Sequence, residues 1–106
     1  MTQLIPLMPL AALPVGEVRG CSAGGLDLVV CNVEGSVFAM ENRCSHAQAV
    51  LSSGRLVGFE LACPRHRGSF DVRTGRAVDA PAKKDIATFP VVIEGGKINV
   101  YSLTVY

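Results

Sequence analysis

The sequence has almost no net charge and very little histidine. Its 106 residues include 10 lysines and arginines, 9 aspartates and glutamates and 2 histidines, for a formal net charge of +1 at pH 7. This balance indicates neither a basic face for nucleic acid nor an acidic tail. Repeats, low-complexity segments and long stripes of 3.6-residue period are also missing from the sequence, so no long amphipathic helix is predicted.

A convincing secretory or membrane segment is missing as well. Residues 4–13 are apolar, but no lysine or arginine precedes them and Pro6, Pro9 and Pro14 interrupt the region. The stretch is also too short to span a bilayer. We therefore expect a cytoplasmic protein with neither a membrane nor a nucleic acid as partner. In a reducing compartment its 4 cysteines are expected to bind metal or to be buried rather than to form disulfides.

The pattern of short apolar runs predicts an all-β fold. Hydrophobic residues make up 49% and charged residues 18%, which is typical of a globular protein, and the length fits a single domain over residues 1–106. Glu34-Gly35 and Gly95-Gly96 stand at hairpin turns between strands. A short helical turn is expected around Ala47–Ser53. The predicted strands are Leu4–Leu7, Gly16–Cys21, Leu26–Val33, Ser36–Glu41, Gly58–Ala62, Ser69–Val72, Ile86–Glu94 and Lys97–Leu103.

Both histidines of the sequence lie in two short motifs that also contain a cysteine. Cys44 and His46 form a C-x-H pair, and Cys63 and His66 form a C-x-x-H pair. The first motif lies in a polar loop at about residues 42–58, and the second in a loop at residues 63–68. Two such loops facing each other would enclose a metal centre.

The chemistry of these side chains favours iron or zinc. Thiolates are soft anionic ligands, whereas imidazole is neutral and a weaker donor. Replacing two thiolates by two imidazoles on one iron of a 2Fe–2S cluster leaves less negative charge and eases reduction. Zinc is the alternative, since two cysteines and two histidines also bind it tetrahedrally. Zinc fingers, however, usually pair cysteine with cysteine and histidine with histidine, whereas each loop here is mixed.

The spacing of the motifs resembles that of the Rieske family, and in particular the ferredoxins of bacterial aromatic-ring-hydroxylating dioxygenase systems. The resemblance continues through residues 68–75, Pro81-Ala82, Phe89–Val91 and Ile93–Gly95. It implies stacked antiparallel β-sheets with one 2Fe–2S cluster at a tip formed by the two loops.

The resemblance also implies the roles of single residues. It assigns Cys44 and Cys63 to the inner iron and His46 and His66 to the outer iron, and it places Pro81 in a loop that covers the cluster. The implied function is that of a one-electron carrier, not an enzyme. This carrier, expected to be a monomer, would bind transiently to a flavoprotein NADH:ferredoxin reductase and to a terminal oxygenase.

Two departures from respiratory Rieske proteins bear on the reduction potential. The loop cysteines that form a disulfide in those proteins are replaced here by Ala49 and Arg65, so that disulfide is absent. Their serine and tyrosine after the second histidine are replaced by Gly68 and Phe70. Fewer hydroxyl donors to sulfur stabilise the reduced cluster less, so we predict a potential near the low end of the Rieske range, about −150 mV.

Other residues and functions have simpler interpretations. Cys21 and Cys31 are expected to be buried small hydrophobic residues. Arg65 and Arg67 are hypothesised to form a docking patch for an acidic partner surface. Two alternative functions stay open at this point, namely a Rieske-like small subunit of a nitrite reductase and a structural zinc module without redox activity.

Overall fold

The computed structural model describes residues 2–43, 50–64, 68–79 and 85–103. Within these ranges the chain forms three antiparallel sheets and two single-turn 3-10 helices, Leu10–Ala12 and Leu51–Ser53. The strands are β1 (Thr2–Pro9), β2 (Val18–Ala23), β3 (Leu26–Val33), β4 (Ser36–Glu41), β5 (Arg55–Val57), β6 (Glu60–Ala62), β7 (Ser69–Asp71), β8 (Ala77–Asp79), β9 (Thr88–Phe89), β10 (Val91–Glu94) and β11 (Lys97–Leu103). The predicted all-β class is confirmed.

The three sheets differ in how their strands are connected. The base sheet has the order β1-β11-β10, the central sheet β2-β3-β4-β9, and the hairpin sheet β5-β6-β7-β8. The hairpin sheet is made of consecutive strands, whereas the base sheet joins the first strand to the last. The turn at Glu34-Gly35 joins β3 to β4 with Val33 opposite Ser36, as predicted. Both turn residues have positive φ, 53° and 97°, which is the backbone geometry of a two-residue hairpin.

The central sheet packs on both of its faces. Along β3, Leu28 and Val30 belong to a core cluster shared with the base sheet, while Val29 and Cys31 belong to a cluster shared with the hairpin sheet. Because side chains alternate between the faces of a strand, one strand supplies both cores. We call the cluster on the hairpin-sheet side the upper core. Its buried members are Val29, Cys31, Val33, Met40, Leu51, Leu61, Cys63, Phe70, Val72 and Ile86.

The predicted strand Ile86–Glu94 is divided into two, and proline explains why. Ile86–Glu94 was expected to be a single strand but forms β9 and β10, with Pro90 between them. Proline has no N–H to donate to a sheet. At this residue the chain leaves β4, the partner of β9, and moves to β11, the partner of β10.

Candidate metal centre

One of the four predicted ligands lies in the part of the chain that the structure describes. Cys63 follows β6 directly and is 3% exposed, as a member of the upper core. Cys44, His46 and His66 lie outside the described residues. The positions that the sequence analysis singled out near them also lie outside: Ala49, Arg65, Arg67 and Pro81.

The second loop is closed at its base by the hairpin sheet. Ala62 of β6 lies opposite Ser69 of β7, and one step further the Cys63 N–H donates to the Gly68 carbonyl at 2.8 Å. Residues 64–67 therefore connect two strands whose pairing runs up to the cysteine. This main-chain hydrogen bond fixes the backbone of Cys63 in a hairpin, which gives its sulfur a rigid support.

The first loop is closed at its base by side-chain hydrogen bonds. Asn42 follows β4 and is 7% exposed. Its carboxamide oxygen accepts from the Ser52 N–H at 2.8 Å, and its Nδ2 donates to Ser52 Oγ at 3.0 Å. Residues 43–51 therefore lie between two residues that are hydrogen-bonded to each other, Asn42 before them and Ser52 after them. This loop contains Cys44 and His46.

A third segment, residues 80–84 with Pro81, also has well-packed ends. The Ile86 N–H donates to the Gly75 carbonyl at 2.9 Å, and the Asp85 carboxylate accepts from the Ala77 N–H at 2.9 Å. Gly75 has φ +77°, and a Cβ there would overlap the Ile86 carbonyl oxygen, so only glycine allows this contact. The segment thus begins and ends against the hairpin sheet.

One end of each of the three segments lies in the upper core. Leu51 is the last residue of the first loop, Cys63 precedes residues 64–67 of the second loop, and Ile86 lies just after residues 80–84. Their exposures are 0%, 3% and 6%. The fold therefore brings into one core a residue from one end of each segment, and these segments contain the other predicted ligands and Pro81. Sequence spacing alone could not place the third segment beside the other two.

The other two cysteines of the chain lie within strands β2 and β3, outside the two loop motifs. Burial raises the pKa of the Cys31 thiol to about 12, so the free thiol stays protonated near neutral pH. Cys31 is 1% exposed, which confirms the prediction of a buried small residue. Cys21 is only half-buried, and burial together with the nearby Asp27 charge raises its pKa too.

The residues around Cys63 fit a metal cluster bound by thiolate and imidazole. The buried sulfur lies at the end of a strand among apolar side chains, where bound metal would provide the positive charge that a buried thiolate needs. Among the described residues, no group of three or more His, Cys, Asp and Glu side chains could hold a metal ion, since three of the predicted ligands lie elsewhere. The chain matches the model of the Rieske [2Fe-2S] domain over residues 3–90.

The chain belongs to the Rieske [2Fe-2S] family. This Rieske protein carries one 2Fe–2S cluster, and it is an electron-transfer component rather than a catalytic enzyme. Family membership decides against the zinc module. It also agrees with the mixed cysteine and histidine content of both loops, since two histidines replace two cysteines on one iron of a Rieske centre.

Curated relatives and solved structures agree with this assignment. The Rieske protein is 43% identical to the ferredoxin component of the naphthalene 1,2-dioxygenase system of Pseudomonas aeruginosa, over 91% of this chain and 92% of the relative. The Sphingomonas yanoikuyae B1 ferredoxin has a TM-score of 0.90 and 35% identity, with 95% and 100% of the two chains covered. A chain in the complex of reduced oxygenase and oxidized ferredoxin in carbazole 1,9a-dioxygenase has a TM-score of 0.85 and 30% identity, with 92% and 91% covered.

The likeness to a nitrite reductase subunit extends only to the fold. The putative NADH-dependent nitrite reductase small subunit from Mycobacterium tuberculosis has a TM-score of 0.88 but only 20% identity, with 99% of each chain covered. The alternative function therefore has less support than that of a dioxygenase ferredoxin. In the described ranges of the Rieske protein, no helix has the length and apolar character needed to cross a membrane.

The residues that hold the loops in place belong to no motif in the sequence. Asn42, Ser52 and Asp85 are polar residues near strand ends, with no motif to mark them. Their partners are distant in sequence or depend on the exact end of a strand, so only the folded chain reveals them. The one available signal was the position of Asn42 directly before the first ligand loop.

Proposed function

We propose that this Rieske ferredoxin takes single electrons from a flavin-dependent NADH:ferredoxin reductase and passes them to a terminal aromatic-ring-hydroxylating oxygenase. The family supports the electron-carrier role, and a relative named as a dioxygenase ferredoxin component, 43% identical, supports the oxygenase as acceptor. The structural observation that carries the proposal is that one end of each of the three segments, buried Cys63 among them, lies in the upper core.

The proposed ligands are Cys44, His46, Cys63 and His66. Cys63 is 3% exposed, which suits a thiolate on an inner iron that solvent does not reach. We assign Cys44 to the same iron and both histidines to an outer iron. When bound, the cluster supplies a one-electron redox centre, and this chain provides the thiolates, the imidazoles and an apolar floor beneath them.

The proposal includes a transient interface, a monomeric carrier and a cytoplasmic location. A carrier that serves two enzymes in turn must leave each of them quickly, and small transient interfaces allow this. Arg65 and Arg67, next to His66 in sequence, are proposed to meet an acidic partner surface. The whole of residues 1–106 is proposed to act as one domain. NADH-linked reductases and reduced cysteines are both consistent with the cytoplasm.

The ligand set can be tested with two buried cysteines of the same core. Cys63 and Cys31 both lie in the upper core and are 3% and 1% exposed. We expect Cys63→Ala to abolish iron and sulfide binding and Cys31→Ala to retain them. In the wild-type protein reduced with dithionite, low-temperature EPR should show an average g value below that of an all-cysteine 2Fe–2S ferredoxin. Equal iron loading of the two variants would contradict the assignment of Cys63.

The partners can be tested by reconstitution. Purified flavoprotein reductase, NADH and a terminal oxygenase of the naphthalene dioxygenase type are mixed with and without this ferredoxin. We expect reduction of the oxygenase to depend on the ferredoxin and to be lost with Cys63→Ala. An Arg65→Ala, Arg67→Ala variant should retain its cluster and transfer electrons more slowly, with a weaker dependence on salt. Transfer that proceeds equally well without the ferredoxin would refute the proposed place in the electron chain.

A further inference from the structure

The side chain of Asn42 has a hydrogen-bonding pattern that serves the first loop. It is 7% exposed, and it both donates to and accepts from Ser52, at 3.0 Å and 2.8 Å. Its main-chain N–H donates to the Asp27 carbonyl at 3.0 Å, which joins Asn42 to the start of β3. Asn42 therefore links the central sheet to Ser52, which lies just after the loop of residues 43–51.

The opposite end of the loop is also held firmly. Ser52 lies in the 3-10 helix Leu51–Ser53, and its neighbour Leu51 is completely buried in the upper core. The Ser52 N–H is bound to the side chain of Asn42. The nine residues 43–51 are thus held at both ends, and each fixed end reduces the number of conformations that the loop can adopt.

The neighbouring strand leaves space for this pair of side chains. A Cβ added to Gly20 of β2 would lie 2.9 Å from Asn42 Nδ2 and 2.9 Å from Ser52 Oγ. Both atoms belong to short side chains that already form a hydrogen bond with each other, so neither can move away without breaking it. Any side chain at position 20 would therefore press on the contact between Asn42 and Ser52.

We propose that Asn42 is a positioning residue for the cluster and that, with Ser52 and Gly20, it forms a loop-base clamp. The clamp fixes the two ends of the loop that contains Cys44 and His46, and it thereby sets the geometry of one thiolate and one imidazole. The inference rests on the proposed ligand set. Asn42 is not one of the four proposed ligands, but it controls how tightly the first loop holds the cluster.

The chain contains a matched control for Asn42. Asn32 is 5% exposed, its Nδ2 donates to the Leu13 carbonyl at 2.8 Å, and its Oδ1 accepts from the Gly35 N–H at 2.8 Å. Asn42 Nδ2 also donates to Asp27 Oδ1 at 3.5 Å. Apart from this long contact, each asparagine side chain donates one hydrogen bond and accepts one at a buried site. Asn32 lies near the turn between β3 and β4, whereas Asn42 lies beyond the other end of β4. Loss of either side-chain amide should therefore lower the stability of the fold by a similar amount. Only the loss of the Asn42 amide should affect the cluster.

The experiment compares Asn42→Ala with Asn32→Ala in the full-length holoprotein. The readouts are the urea midpoint of unfolding, the EPR g values after reduction, and the rate of iron release to bathophenanthroline disulfonate in the absence of urea. We expect similar urea midpoints. We expect iron release from Asn42→Ala to be about 10-fold faster than from Asn32→Ala, as for lost outer-shell partners of metal ligands, together with shifted or broadened g values.

Two milder variants keep the test decisive if Asn42→Ala does not fold. Ser52→Ala removes only the Oγ contact and keeps the main-chain donor, so its release rate should lie between those of the wild type and Asn42→Ala. Gly20→Ala keeps both clamp side chains and should reproduce the faster release. Release rates and g values equal to those of Asn32→Ala would overturn the clamp. If wild-type protein instead lacks the Rieske EPR signal, the ligand set is wrong whatever the variants do.

Discussion

Truncation of Leu51 is the change that best measures how far the first loop depends on the upper core. Leu51 is completely buried, and its replacement by alanine removes three carbons. At about 0.8 kcal/mol per methylene the transfer loss is about 2.4 kcal/mol, and the cavity left behind raises the total to about 3.5 kcal/mol. With an unfolding entropy of about 2.1 cal/mol/K per residue, the melting temperature should fall by about 15 °C.

The matched control is Leu13→Ala, because Leu13 is 1% exposed and belongs to the core shared with the base sheet. Thermal unfolding followed by far-UV circular dichroism, at one scan rate, should give similar losses for both variants. Visible absorbance of the cluster at a temperature below both midpoints should decay faster only in Leu51→Ala. A decrease of less than about 5 °C for Leu51→Ala, about 1 kcal/mol, would refute the reasoning from burial. Equal decay rates would refute the link between Leu51 and the cluster.

Three further predictions concern potential, acid stability and thiol reactivity. Because Gly68 and Phe70 have no side-chain hydroxyl to donate to the cluster, the midpoint potential should be near −150 mV in voltammetry, roughly the low end of the Rieske range; a value above zero would contradict this. Arg73 lowers the pKa of Asp71, so the carboxylate stabilises the fold above its ordinary pKa of about 3.9, and this contribution is lost as pH falls through the lowered value. Asp71→Asn should therefore cost up to about 1 kcal/mol near neutrality and progressively less in acid, which urea titrations at several pH values would measure; a constant difference would exclude the mechanism. With a pKa of about 12, Cys31 should resist iodoacetamide near neutral pH until the protein unfolds, as peptide mass spectrometry would show, and modification of the native protein would disprove its burial.

The sequence was sufficient to predict the central β3–β4 hairpin because its residues have strong local signals. Leu26–Val33 and Ser36–Glu41 were predicted with the bounds that the structure shows, since β-branched runs surround a clear turn at Glu34-Gly35. The strands Arg55–Val57 and Ala77–Asp79 were missed. Each has only three residues, and pairing with β6 and β7 rather than local preference makes them strands.

The candidate site shows the same division between local and long-range information. The ligand motifs depend on residue types at fixed spacing, so Cys63 and its three companions could be predicted as ligands from the sequence. The contacts that support them join residues far apart in the chain, such as Glu41, whose carboxylate accepts from the Ala87 N–H at 3.0 Å. The short helical turn predicted around Ala47–Ser53 is found as a 3-10 helix at Leu51–Ser53, and residues 47–49 lie outside the described residues.

The strand order implies a sequence of events during synthesis and folding. The hairpin sheet uses only neighbouring strands between residues 55 and 79, so its contacts are local and can form early. The base sheet pairs β1 with β11, with Thr2 opposite Leu103. During synthesis β1 therefore has no partner strand until nearly all of the described chain has been made. The hairpin that presents Cys63 can therefore be formed while the opposite core is still open. Iron–sulfur assembly machinery would then meet a partly folded chain whose second ligand loop is already shaped.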